Sequence, residues 1–453
     1  MNVRDDLRHG LRALARQAPA AAVPDDFFDR ARARARQRRA VRASAGFVLV
    51  LTLALGLGLS RPGHVDSAGQ PEAPAAGLPS ELHLPPLWAA SAESSPPGRT
   101  AMIFGGDATA DAWNEGRFAA VAADGDRYRV FRDFVFTAPG SEALLSPDGE
   151  SIARHRAVRS LTRPGSAVEL PGDVRAFSPD GSLVVYETGE GTTTLNGRDH
   201  YGSRVEVYDL ARRSVIAAVD NSDLPLFAGL AVSVSADNTR LALHLGDELR
   251  LYRLDAATPA AYATVPLNRE LLAGSGSWLP DGSSLVTARR DSDGGPWRLI
   301  RRDALTGRET SVWAELEATE ARHLRVLGWR ADGAAVATAK LAAPDAAPEF
   351  KAGAEAGMFQ EDGTGRVRLL AIPAGAGTPE VLLETPLGVS DLDVAAQIAA
   401  AGVTRASARP DYGPLPPALL LVAAVLVAIG GGVLTWIVRR RIVRRARENP
   451  GSR

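Results

Sequence analysis

Leu145-Ser-Pro-Asp-Gly149, Phe177-Ser-Pro-Asp-Gly181, Val234-Ser-Ala-Asp-Asn238, Trp278-Leu-Pro-Asp-Gly282 and Trp329-Arg-Ala-Asp-Gly333 are five copies of one pattern in a chain of 453 residues. In each, an apolar residue closes a strand and a tight turn follows. Three positions after the Gly or Asn, an aliphatic residue (Ile152, Val184, Leu241, Leu285 or Val336) lies in the next strand. Proline presets φ at the first corner, aspartate suits the second, and glycine takes the left-handed conformation that feeds the return strand. This is a type I turn with a bulge, a frequent hairpin connection. Asn238 replaces glycine in one copy, and asparagine tolerates positive φ better than other non-glycine residues. The pattern predicts positive φ at Gly149, Gly181, Asn238, Gly282 and Gly333. It treats the four glycines as equivalent, makes Asn238→Gly neutral or slightly stabilising, and sets the turns far apart with no shared partners.

Downstream of the turns a third strand recurs as Val205-Glu-Val-Tyr-Asp-Leu210, Leu249-Arg-Leu-Tyr-Arg-Leu254, Trp297-Arg-Leu-Ile300 and Val367-Arg-Leu-Leu370, with Tyr128-Arg-Val-Phe131 as a further copy. The aspartates of the turns are spaced by about 46 residues on average, the length of a four-stranded propeller blade. A large antiparallel sandwich would not explain the recurrence. The fold expected for 100–400 is therefore all-β: a β-propeller of six blades, with seven as the alternative count. The first blade, around 99–137, lacks the motif, and segment 389–396 is expected to complete it and latch the ring.

The flanks read differently. Residues 1–42 form a basic tail with helical periodicity, Val3, Leu7, Leu11 and Leu14 on one stripe and Arg4, Arg8, Arg12 and Arg16 on another. Residues 43–60 and 418–438 are uncharged, mostly apolar runs long enough for two transmembrane helices. Stretches 61–99, rich in Pro, Ala, Ser and Gly, and 401–417 read as linkers, and 439–453 is an Arg-rich tail. A cleaved signal peptide is the other reading of 43–60; it would need an n-region of more than 40 residues, and no A-x-A site follows directly. Arginine is dense just before the first run and just after the second, from Arg439 to Arg447, so the positive-inside rule puts both termini in the cytoplasm. The lipid bilayer of the plasma membrane becomes a partner and the propeller is extracytoplasmic.

The Ser-Pro-Asp-Gly hairpins resemble the WD40-like (PD40) repeats of the TolB type. The resemblance covers about residues 140–340 and implies a propeller, often six-bladed. It does not extend to TolB itself, because no separate N-terminal α/β domain is present. The N-terminal tail, with its Pro-Ala break, Asp25-Asp26-Phe27-Phe28 and an Arg run before an apolar segment, resembles actinobacterial membrane proteins linked to extracytoplasmic-function sigma factors. That resemblance implies a cytoplasmic regulatory partner at the tail, although no His/Cys zinc motif accompanies it.

Little in the chain points to chemistry. There are no cysteines, which removes disulfides, thiolate metal sites and Cys nucleophiles. His9, His64, His83, His155, His200, His244 and His323 form no H-x-x-x-H or H-E-x-x-H pattern, and no G-x-S-x-G, P-loop or dinucleotide fingerprint occurs. Gly274-Ser-Gly-Ser277 reads as the start of a strand. Asp291-Ser-Asp-Gly-Gly295 reads as a polar hairpin, lacking the later ligands of a calcium loop. No catalytic, cofactor-binding or metal-ligating residue is assigned, no cofactor is expected, and the Arg tails read as topology signals with no nucleic-acid partner. The connections 187–204 and 339–366 are longer than a hairpin needs and fall on one end of the ring, where binding loops sit. The expected function is a non-enzymatic binding, sensor or scaffold module for an extracytoplasmic protein, peptide or glycan. The alternative is a propeller lyase or hydrolase with an ionisable site in the central funnel.

Overall fold

The computed structural model describes residues 76–414, apart from 107–108, 110–116, 133–137, 164, 196–197, 222–229, 291–294, 318–320 and 344–363, together with scattered positions between 426 and 440. The chain divides into two units, 68–416 and a second made of 1–67 with 417–453.

The first unit holds six four-stranded sheets. After β1 (Leu78–Pro79), β2 (Thr100–Gly105), β3 (Arg117–Ala122) and β4 (Tyr128–Arg132), five sheets pair in chain order, as propeller blades do. Blade 2 is β5 (Ala143–Leu145), β6 (Ser151–Arg154), β7 (Ala157–Ser160) and β8 (Ala167–Glu169). Blade 3 is β9 (Asp173–Phe177), β10 (Leu183–Leu195), β11 (Arg198–Asp209) and β12 (Ser214–Asn221). Blade 4 is β13 (Leu230–Val234), β14 (Arg240–Leu245), β15 (Glu248–Arg253) and β16 (Ala261–Pro266). Blade 5 is β17 (Glu270–Leu272), β18 (Ser284–Arg290), β19 (Trp297–Asp303) and β20 (Glu309–Leu316). Blade 6 is β21 (Ala321–Trp329), β22 (Ala335–Ala342), β23 (Thr364–Ile372) and β24 (Glu380–Glu384). Blade 1 joins both ends of the domain: β25 (Asp391–Val394) pairs with β2, followed by β3 and β4, in the register Met102↔Val394 and Phe104↔Leu392.

The six-bladed propeller and the latch at 389–396 are thus present. One strand assignment is corrected. Tyr128–Phe131 lies in the fourth strand of its blade, because β25 takes the first place and moves each N-terminal strand outward by one.

The repeat turns have the expected backbone. φ is 76° at Gly149, 75° at Gly181, 58° at Asn238, 66° at Gly282 and 84° at Gly333. Each turn closes with the expected bond, as in Gly181 N–H to Ser178 O at 2.8 Å and Asn238 N–H to Ser235 O at 3.0 Å. The serine has a role the pattern did not reveal. Ser146, Ser178 and Ser235 each donate Oγ–H to the turn aspartate (2.6, 2.6 and 2.5 Å) and accept the N–H of Ser151, Leu183 or Arg240 (2.8, 2.9 and 3.0 Å). The hydroxyl stitches the corner to the return strand.

Seams between blades are hydrogen-bonded as well as apolar. Trp278, which bridges Leu285 just before the blade 5 turn, and Trp329, which closes the first strand of blade 6, donate indole N–H to Ser233 O (3.1 Å) and Gly276 O (2.8 Å) of the preceding blade. Gly274 and Gly276 permit this approach, since a Cβ on Gly276 would sit 2.3 Å from the carbonyl carbon of Leu327. First strands of neighbouring blades touch one another (β25 with β5, β5 with β9, β9 with β13, β13 with β17), so they form the inner wall.

Segments that composition assigns to linkers are, where described, packed on blade 1. β1 pairs in parallel with β26 (Thr404–Arg405). Ala92 N–H donates to Val130 O, Val130 N–H to Ala90 O and Tyr128 N–H to Asp411 O, all within 3.0 Å, covering the outer edge of β4. An exposed strand edge is an aggregation hazard, and this cover removes it. Two arginines fix the cover. Arg405 pairs with buried Asp126 and donates to Gly125 O at 2.8 Å; Arg129 reaches Ser95 O, Asp411 O and the Asp411 carboxylate at 2.9–3.2 Å. Tyr128 sits beneath, fully buried among Phe104, His83 and Tyr412, and burial pushes its hydroxyl up to about 12.

The 1–42 tail, the 43–60 run and most of the 439–453 tail lie outside the described residues. Within 418–438, residues 426, 429–434, 436 and 437 are described as helical, with Leu426, Ile429, Val433, Leu434 and Trp436 exposed by half or more. Among the described residues no helix is long and apolar enough to cross a membrane.

Candidate functional site

First strands run toward the repeat turns and second strands return from them, so the two ends of the ring carry different residues. At the turn end the segment after β25 bridges several blades. Helix α1 (Ala396–Ala400) follows β25 where the sixth turn would stand. Gln397 donates its backbone N–H to Pro147 O of the blade 2 turn (2.9 Å) and its side-chain amide to Pro179 O of the blade 3 turn (3.2 Å). Ala396 packs against Gly328 of blade 6, where an added Cβ would lie 3.3 Å away. The turns also touch each other, which corrects the expectation that they share no partners. Asn238 Nδ2 donates to Asp180 Oδ2 (2.7 Å) and Ser182 Oγ (3.0 Å), and Arg240 Nη1 donates to Gly282 O (2.7 Å). Partial burial alone would raise Asp180, but the bonds from Ser178, Ser182 and Asn238 outweigh it and hold its carboxyl below the ordinary value.

The opposite end gathers residues early on first strands and late on second strands. Asp391 accepts from Lys340 Nζ (2.8 Å) and from Ser390 Oγ (2.8 Å). Nearer the turns on the same strand, Asp393, 5% exposed, pairs with Arg325 Nη2 (2.7 Å) and accepts the N–H of Leu145, the last residue before the blade 2 turn (2.8 Å). Arg325 also donates to Leu392 O (3.1 Å) and to Gly140 O, so a blade 6 side chain ties blade 6 to blades 1 and 2. Burial pushes the Asp393 carboxyl up, against the pull of Arg325 and the N–H groups of Leu145 and Val394. Arg175 pairs with Glu187 at 2.8 Å in blade 3. In blade 5, Glu270 is buried and held by Arg302 (2.7 Å), Thr287 (2.5 Å) and Arg289 (3.3 Å). His323 faces Lys340 across the blade 6 ladder. Burial, with Lys340, Arg322 and Arg290 nearby, pushes its imidazole down to about 3 and keeps it neutral.

None of these residues was singled out as a site from sequence. The alternation Asp391-Leu-Asp-Val394 in the latch carried the signal: two acids inside an inner strand require cations from its neighbours. Among the described residues, no group of three or more His, Asp or Glu is placed to hold a metal ion. Segment 291–294, which contains the Asp-Ser-Asp-Gly of the polar hairpin, lies outside the described residues.

The connection 187–204 proves to be sheet. β10 and β11 pair from Leu183↔Asp209 to Leu195↔Arg198, with a bulge between Gly189 and Thr192. β9 pairs β10 only up to Glu187 and β12 pairs β11 only from Ser203 on, so the remainder is a two-stranded ribbon standing off the blade. At about 3.3 Å per residue, the stretch from Gly189 to Leu195 projects roughly 20 Å. The missed signal is Asn196-Gly197 between Thr-rich and aromatic flanks, the strongest short hairpin dipeptide. On the other long connection, β22 and β23 extend to Ala342 and Thr364, and 344–363 lies outside the described residues.

No family model matches the chain, and no curated protein matches it. Solved structures similar to it include TolB from Acinetobacter baumannii (14% identity, 54% of this chain and 61% of that one, TM-score 0.31). They also include a putative TolB from Agrobacterium tumefaciens (12% identity, 64% and 91%, TM-score 0.35) and Kuenenia stuttgartiensis hydrazine synthase (15% identity, 52% and 63%, TM-score 0.32). The chain spans less than two thirds of the hydrazine synthase and Acinetobacter chains. TolB proteins are thus among its structural neighbours, and the six-bladed architecture rests on the strand pairing.

Proposed function

We propose that the chain is a TolB-type propeller of an actinobacterial plasma membrane, anchored by 43–60 and 418–438 with both termini cytoplasmic, that binds an extracytoplasmic protein, peptide or glycan without turning it over. One observation carries the binding assignment. Asp391, Glu187 and Glu270, at the end opposite α1, and Asp393, nearer the turns, are each committed to a basic partner, and the β10–β11 ribbon stands beyond the blade. Acid–base catalysis needs a group that exchanges protons near working pH. Glu187, Glu270 and Asp391 are paired with cations, Asp393 stays paired with Arg325 although burial pushes its carboxyl up, and the His323 imidazole is held neutral, so the set favours a rigid wall over a proton-transfer site. A rigid ring presenting a ribbon suits recognition. The anchoring reading is supported by the two uncharged runs and the arginines outside them. The 1–42 tail is then free to meet a cytoplasmic regulator of the sigma-factor type.

Topology reporters test the anchoring. A periplasm-active reporter inserted within 61–75 should be active and one after Arg453 silent; a silent linker reporter refutes the orientation. Peptide and glycan arrays probed with fragment 76–414 test the binding. Shortening the ribbon by joining Gly189 to Ser203 through Asn-Gly should remove the hits, and retention of every hit would move the site elsewhere.

A further inference from the structure

His83-Leu-Pro-Pro-Leu-Trp88 lies on the outside of blade 1, and three of its side chains face solvent: Leu84 at 39%, Leu87 at 57% and Trp88 at 39% exposed. The backbone that presents them is fixed. His83 N–H donates to the buried Tyr128 hydroxyl (3.1 Å), Ala89 N–H to Pro86 O (3.0 Å) and Ala90 N–H to Tyr412 O (2.8 Å). The Trp88 ring meets the Tyr412 ring edge-on, centroids 5.6 Å apart. Arg132 donates to Leu87 O at 3.5 Å, and Arg409, three residues before Tyr412, is exposed. A knuckle of two leucines and a tryptophan, with an aromatic partner and Arg132 beside it, is thus held outward on the surface.

We infer that this knuckle is a membrane-contact lip that inserts Leu84, Leu87 and Trp88 into the headgroup region of the bilayer to which the chain is anchored. The inference rests on the anchored reading of 418–438. Tyr412 is six residues before Ala418, the first residue of that uncharged run. Six residues reach at most about 20 Å when fully extended, so the Trp88–Tyr412 pair cannot lie far from the bilayer surface. Tryptophan and tyrosine concentrate at that depth, with an apolar body in the acyl boundary and a polar tip among headgroups. Trp436 occupies the other end of the same run, with the Arg440 guanidinium 4.9 Å above its ring. The chain then carries aromatic girdles at both boundaries: Trp88 and Tyr412 outside, Trp436 inside. Arg132 and Arg409 suit anionic headgroups.

The absence of cysteine allows single labels on the full chain. Leu87→Cys, Leu305→Cys and Ile429→Cys would each carry a nitroxide in vesicles of phosphatidylethanolamine and phosphatidylglycerol, with collision rates measured against oxygen and a water-soluble nickel chelate. Leu305 is 58% exposed in blade 5 and serves as the aqueous reference. The label at 429 should be deep in lipid. The label at 87 should show nickel collisions several-fold below those at 305, with raised oxygen collisions. If 87 matches 305 while 429 is deep, the lip is overturned and the anchoring stands. If 429 is also aqueous, both are overturned.

Discussion

Asn238→Gly separates a turn read alone from a turn read in its ring. Considered alone, glycine relieves a residue held at φ 58°, which removes at most about 1 kcal/mol for a residue that already tolerates that region. Glycine also makes the unfolded chain more flexible, a loss of about 0.5–1 kcal/mol, so the backbone terms nearly cancel. The contacts then decide. The Asn238 amide donates to the Asp180 carboxylate at 2.7 Å and to Ser182 Oγ at 3.0 Å, joining the turns of blades 3 and 4. Bonds to charged acceptors are worth about 1.5–3 kcal/mol when buried. Asp180 is solvent-exposed, which reduces this one to about 0.5–1 kcal/mol. The expected result is a net loss of about 1 kcal/mol, the reverse of the neutral outcome the isolated motif predicts. Urea unfolding of fragment 76–414 measures it. Asp180→Ala combined with Asn238→Gly should give a coupling energy of about 0.5–1 kcal/mol, because each change removes the same bond. A stabilised Asn238→Gly, or strict additivity with Asp180→Ala, would refute the claim that the turns form a linked ring.

The four turn glycines should not behave alike. A Cβ on Gly149 would stand 2.0 Å from Thr100 O, whereas Gly282 and Gly333 meet nothing within 4 Å. Unfolding free energies from urea curves should therefore fall by about 1–2 kcal/mol for Gly181→Ala, Gly282→Ala and Gly333→Ala, and by about 3 kcal/mol or more for Gly149→Ala, whose neighbouring backbone must move. Arg325→Met should lose about 3 kcal/mol by leaving Asp393 buried without its cation, and adding Asp393→Asn should restore part of the loss in the same assay. Asp180, Asp237 and Asp281 have folded values below their ordinary ones. Their contribution is present above the unfolded value of about 4 and is lost as pH falls through the folded values. The urea midpoint should therefore drop at acid pH, more shallowly when all three are Asn. A fragment limited to 100–400 should aggregate where 76–414 stays monomeric in gel filtration, since the shorter one uncovers β4.

The ring was legible because a turn motif is a local object. Positive φ, proline and aspartate fix the corner whatever surrounds it, and five corners at blade spacing imply a propeller. The latch was legible for a related reason: a first blade without a motif needs a strand from elsewhere. What escaped the reading is non-local. Nothing near Asn238 announces Asp180, 58 residues away, as its partner, and nothing in Ser178 announces its double role. Linker composition at 76–99 and 401–414 concealed two segments that pack, because Pro and Ser in irregular backbone look alike whether bonded to a strand edge or to water. Arg405, in sequence one more charge in a linker-like stretch, pairs with buried Asp126. The site at the open end was hidden for the same reason, since its arginines are indistinguishable in sequence from the many others.

Every assignment of ends and faces depends on the ring being closed between Val394 and Met102. Because the chain has no cysteine of its own, Met102→Cys with Val394→Cys in fragment 76–414 tests that closure directly. The two positions are register partners on adjacent antiparallel strands, a spacing of about 4.5–5.5 Å between Cα atoms that a disulfide accepts. The account predicts that mild oxidation of the folded protein consumes both thiols intramolecularly, and that the cross-link, closing a loop of nearly the whole propeller, raises the unfolding free energy by up to about 5 kcal/mol. Two thiols that remain free in folded protein under oxidant, or that pair only between molecules, would contradict a ring latched by its C-terminal strand.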